Sequence, residues 1–136
     1  MKGLSNHHMA WNRAAGAVVI AVVALVSGCG GSGAMAPSEP PTAGTTITIT
    51  PSGVSPKNLL VSAGSQVTFV NNDSRSHDMQ SDPHPEHTDC PALASVGFLT
   101  PGQSRQTGNL NVLRVCGYHD HDDAGNSKWQ GKITTQ

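Results

Sequence analysis

The chain has 136 residues, with 8 Lys and Arg against 9 Asp and Glu and a formal net charge of −1. That balance argues against a nucleic-acid partner, because binding the phosphate backbone needs a surplus of cations. Aromatic residues make up only 4% of the chain, which limits it to one small domain with a modest core.

The first element is a leader. Lys2 and Arg13 precede an apolar run from Ala14 to Val26. At about 13 residues the run is too short to span a bilayer and matches the apolar core of an export signal. It ends in Val26-Ser27-Gly28-Cys29, which resembles a bacterial lipobox. The resemblance implies removal of residues 1–28, a lipid on Cys29, and a chain held on a bacterial membrane facing the periplasm or the cell exterior. A diacylglyceryl group with an added acyl chain anchors firmly, where a single chain would not. Residues 29–44 contain almost no large apolar side chain and read as a lipid-anchored flexible linker.

The domain then runs from 45 to 136 and reads as all-β. Thr46-Ile47-Thr48-Ile49-Thr50 alternates with period two and is rich in β-branched residues. Pro51 to Pro56 reads as turn. Leu59–Val61 and Gln66–Val70 follow as strands, and Asn71-Asn72-Asp73 breaks the second. Further strands are expected at Val96–Leu99, Ser104–Thr107, Asn111–Cys116 and Gly131–Thr135. Helical periodicity is absent, and short strands between frequent turns point to a sandwich or barrel. Phe69, Phe98, Tyr118 and Trp129 are the expected aromatic bulk.

Two clusters carry the chemistry. Outside the leader the histidines fall at His77, His84 and His87 and at His119 and His121, interleaved with Asp78, Asp82, Glu86, Asp89, Asp120, Asp122 and Asp123. Imidazole is the commonest metal ligand and suits copper and zinc, and neighbouring carboxylates orient it. His84 and His87 lie beside prolines in a polar loop; they could join the site or form a weak metal-scavenging face, and exposed side chains without a ligand role are the plainer reading. With Cys29 committed to lipid, Cys90 and Cys116 are left as an even pair. In an oxidising compartment such a pair forms a disulfide. No Gly-x-Ser-x-Gly or His-Glu-x-x-His motif suggests a hydrolase.

The domain also resembles the cupredoxins, the plastocyanin and azurin superfamily. The residues that carry this are Gly64-Ser65-Gln66-Val67-Thr68-Phe69-Val70, then Asn71-Asn72-Asp73 and His77, then Leu99-Thr100-Pro101-Gly102-Gln103-Ser104, Cys116-Gly117-Tyr118-His119 and Gly131-Lys132-Ile133-Thr134. The resemblance implies a Greek-key β-sandwich with copper held by loops at one end, and electron transfer rather than enzymatic turnover. In one register His77, Cys116 and His119 are the copper ligands, with Gln130 rather than Met in the weak axial place. In a second register Tyr118-His119-Asp120-His121 forms the loop, Asp120 takes the place of the copper Cys, Cys116 is free to pair with Cys90, and His77, His119 and His121 hold copper. At this point three functions stand: electron transfer to a redox partner, copper storage or delivery to a trafficking partner, and a metal-free interaction module.

Overall fold

The computed structural model describes residues 39–136. The leader, Cys29 and most of the linker lie outside the described residues. Among those described no helix is long and apolar enough to cross a membrane; the helical content is three short 3-10 turns, Pro91–Ser95, His121–Asp123 and Ser127–Trp129.

Ten strands form two sheets: β1 (Thr42–Ala43), β2 (Thr46–Thr50), β3 (Gly53–Ser55), β4 (Asn58–Val61), β5 (Thr68–Asn71), β6 (His77–Ser81), β7 (Gly97–Leu99), β8 (Ser104–Gln106), β9 (Val115–Asp120) and β10 (Gly131–Thr135). One sheet runs β1-β4-β10-β9-β6-β7 and the other β3-β2-β5-β8. Period-two alternation turns one side of β2, β4, β5 and β6 inward. Ile47, Ile49 and Phe69 from the smaller sheet meet Leu59, Met79, Leu99, Cys116, Tyr118 and Ile133 from the larger, all almost fully buried. Phe69 meets Tyr118 edge-on across the sandwich, with ring centroids 5.2 Å apart. Gly131 faces Tyr118 in the β9–β10 register, and a Cβ there would overlap the phenol oxygen. The last strand therefore has to open on glycine.

Several elements differ from the sequence reading. The end of the expected linker is paired, since Thr42 and Ala43 run parallel to Leu59 and Leu60. Residues 53–55, read as turn, form an edge strand on β2. The expected strand at 111–116 is displaced to Val115–Asp120, and Val112, Leu113 and Val115 are exposed. No sequence signal marks β6, because His-Asp-Met-Gln-Ser lacks β-branched residues. Pairing with β7 on one side and β9 on the other makes it a strand regardless. Phe98 is 51% exposed and adds nothing to the core.

Candidate metal centre

The β6–β9 pair sorts its polar side chains onto two faces. His77, Met79 and Ser81 of β6 and Cys116, Tyr118 and Asp120 of β9 are the alternate, inward positions. Asp78 and Gln80 of β6 and Gly117 and His119 of β9 take the opposite face. Asp82 follows β6 directly, and its N–H donates to the Gly117 carbonyl.

The inward face holds a packed polar triad. The His77 ring is fully buried, with Nδ1 2.7 Å from Asp120 Oδ2 and Nε2 3.2 Å from Asp73 Oδ2. Trp129 lies against it at 4.5 Å between ring centroids. The Asn71-x-Asp73 turn explains how Asp73 arrives there. Asn71 Oδ1 accepts from the Asp73 N–H, while its amide nitrogen donates to the Arg75 and Leu99 carbonyls. Burial pushes the Asp73 carboxyl up, but hydrogen bonds from His77 and from the Ser74 and Arg75 N–H groups outweigh it and hold the carboxyl below its ordinary range. Asp120 is fixed through its other oxygen, which accepts from the N–H groups of Asp78 and Asp122.

The opposite face brings four histidines together. His84, His87, His119 and His121 each present a ring nitrogen within 4.8 Å of the others. His121 Nδ1 and His87 Nε2 are 3.1 Å apart, so one proton is shared between two nitrogens that a metal ion could occupy instead. His119 is 2% exposed; its Nδ1 lies 2.7 Å from Asp82 Oδ1, and its Nε2 has no partner. A buried, unpartnered ring nitrogen is costly unless something binds it. Burial pushes the His87 ring toward its neutral form, and the charges of His119, His121 and His84 push the same way. Neutral imidazole is the form that ligates.

The two cysteines are joined. Cys90 and Cys116 form a disulfide with Cα atoms 5.6 Å apart. Of the residues expected from the sequence, His119 and His121 join the cluster, while His77 and Cys116 do not. Cys116 has no thiolate to offer, and neither nitrogen of His77 is left to face a metal. Copper therefore does not fit the His77–Cys116–His119 arrangement, whereas a metal ion with nitrogen preference fits the four-histidine cluster. His84 and His87, whose role the sequence leaves open between plain exposure and a place in the site, supply half of that cluster. The disulfide was the signal that could have found them, because it draws the residues just before Cys90 alongside those just after Cys116.

The two-sheet fold is similar to known structures. The domain superposes on the purple cupredoxin of Nitrosopumilus maritimus with a TM-score of 0.53 at 20% identity, covering 68% of this chain and 100% of that one. It has a cupredoxin-like fold. The oxidised plastocyanin of Dryopteris crassirhizoma is similar at 0.52 and 15%, over 67% of this chain and 99% of that one. An amicyanin variant in its Cu(I) form is similar at 0.52 and 16%, over 67% and 80%. No protein-family model matches the sequence, and no curated protein is significantly similar to it. The cupredoxin-like domain thus presents a histidine cluster on the outer face of its β6–β9 pair and a carboxylate–imidazole–carboxylate triad inside.

Proposed function

We propose that this cupredoxin-like domain is a copper-binding protein that captures the ion through His84, His87, His119 and His121 and stores it or hands it to a partner. The observation that carries this is the convergence of four ring nitrogens within 4.8 Å, together with a buried, unpartnered Nε2 on His119, one of the four residues. Imidazole donors suit copper and zinc, and among divalent first-row ions such sites bind Cu(II) most tightly. The Cys90–Cys116 disulfide favours storage or delivery over electron transfer, since neither cysteine of the described residues keeps a thiolate to couple a copper ion electronically to the protein. Bound copper would supply a charge for a partner site to recognise and accept; the protein would not turn over substrate. In this reading the lipid on Cys29 holds the domain at a bacterial membrane, facing the periplasm or exterior, where copper arrives from outside.

The test is a Cu(II) titration of the full chain, followed by electron paramagnetic resonance and visible absorption. One tight equivalent is expected, with nitrogen hyperfine structure and no intense thiolate charge-transfer band. His119→Ala and His87→Ala should abolish tight binding. Wild-type affinity in both variants would overturn the assignment, and stronger retention of Zn(II) than of Cu(II) would replace copper with zinc.

A further inference from the structure

Asp82 stands next to the four-histidine cluster but offers it no ligand in the arrangement described. Its carboxylate lies across Gly117 of β9 and reaches His119. A Cβ built on Gly117 would overlap Asp82 Oδ2 and fall 2.8 Å from its Cγ. No side chain can occupy that point while the carboxylate stays in place. Gly117 thus leaves the room through which Asp82 approaches the next outward-facing residue on the strand. A carboxylate can only accept, so His119 Nδ1 must be the donor at 2.7 Å. In the neutral ring that leaves Nε2 bare, and Nε2 is the buried nitrogen with no partner.

We propose that Asp82 is a positioning residue for the metal centre: seated in the space above Gly117, it fixes the His119 proton on Nδ1 and turns Nε2 toward the cluster as a preformed ligand. This rests on the reading of the four histidines as a metal site. It goes further by dividing the labour among them. His119 is 2% exposed and held from behind, whereas His84 is exposed and His87 and His121 are half-buried. His119 is the fixed ligand, and the other three close on the ion. Hydrogen-bonded carboxylates behind metal-binding imidazoles fix ring orientation and raise basicity, and their loss costs roughly 10–100-fold in affinity.

The experiment uses the full chain as wild type, Asp82→Ala, Asp82→Asn, Gly117→Ala and the Asp82→Ala/Gly117→Ala double variant. Two quantities are read: Cu(II) affinity by chelator competition, and the His119 tautomer in the metal-free protein from its ring nitrogen shifts. Asp82→Ala should weaken copper roughly 10–100-fold and mix the tautomers. Asp82→Asn keeps an oxygen acceptor and should recover the Nδ1–H tautomer and most of the affinity. Gly117→Ala should behave as Asp82→Ala, and the double variant should lose no more than either single one. An unchanged His119 tautomer with wild-type affinity in Asp82→Ala would overturn the proposal. A further loss in the double variant would show that Gly117 acts independently of Asp82 and overturn its part. If the wild type binds no copper at all, the metal reading fails by itself, while the tautomer still reports whether Asp82 sets His119.

Discussion

His77 and His119 are separated by a single strand pairing, yet their surroundings are opposite. His77 has a carboxylate on each ring nitrogen and Trp129 against its face; His119 has a carboxylate on one nitrogen and nothing on the other. The first is a structural tie inside the sandwich, and the second is open for a ligand. Replacing His77 with Ala should leave two buried carboxylates without their partner and destabilise the fold by about 3–5 kcal/mol, read as a drop in urea midpoint. The milder His77→Gln keeps an N–H donor, and it should still bind one equivalent of Cu(II). Loss of copper in a folded His77→Gln protein would put His77 back among the ligands. In the sequence, His77 follows Asn-x-Asp and is an expected copper ligand in both registers, with no sign of the carboxylates that enclose it. Asp120, which occupies its Nδ1, comes from 43 residues further along the chain, where no local pattern reaches.

At the scale of elements, the loop between β6 and the 3-10 turn at Pro91–Ser95 is held closed. The Asp89 N–H donates to the Asp82 carbonyl at 2.9 Å and the His87 N–H to the Pro83 carbonyl at 2.7 Å. Arg114 donates to the Asp89 carbonyl, and the Cys90–Cys116 disulfide fixes the loop's far end to the strand that bears His119. The disulfide closes a loop with a sequence separation of 26. Removing it by Cys90→Ala with Cys116→Ala should cost about 2–5 kcal/mol of stability in a denaturant titration. Copper affinity should fall with it, because His84 and His87 then lose their anchor; unchanged affinity would show that the hydrogen bonds alone hold the loop. The domain from 45 to 136 holds two cysteines, and that makes this pairing an expectation of the sequence. The strand content of β6 and the shift of β9 are not legible there, because sheet partners decided them over local propensity.

Across the whole molecule, the shifted groups set how stability depends on acidity. The His87 ring is held below its ordinary value, so the folded state binds that proton less readily than the unfolded chain. Its contribution is present above the ordinary histidine value of about 6.5 and is lost as the pH falls through the lower folded value. The Asp73 carboxyl is also held low, so its contribution is present above about 3.9 and disappears only at lower pH still. The urea midpoint should therefore fall in two acid steps. His87→Gln should remove the upper step and Asp73→Asn the lower; a flat profile through both windows would contradict the two environments.

The sequence by itself determined that the domain is built from strands, that its histidines fall in two groups, and that its cysteines form an even pair. Those properties follow from side-chain alternation, composition and count, all of which are local or additive. Only the tertiary structure decided which histidines meet. A disulfide and a sheet register carry His84 and His87 over His119 and His121 and leave His77 on the other face, sealed by Asp73 and Asp120. On a strand one residue's step reverses the face, and that alternation separates the inner histidine from the outer cluster.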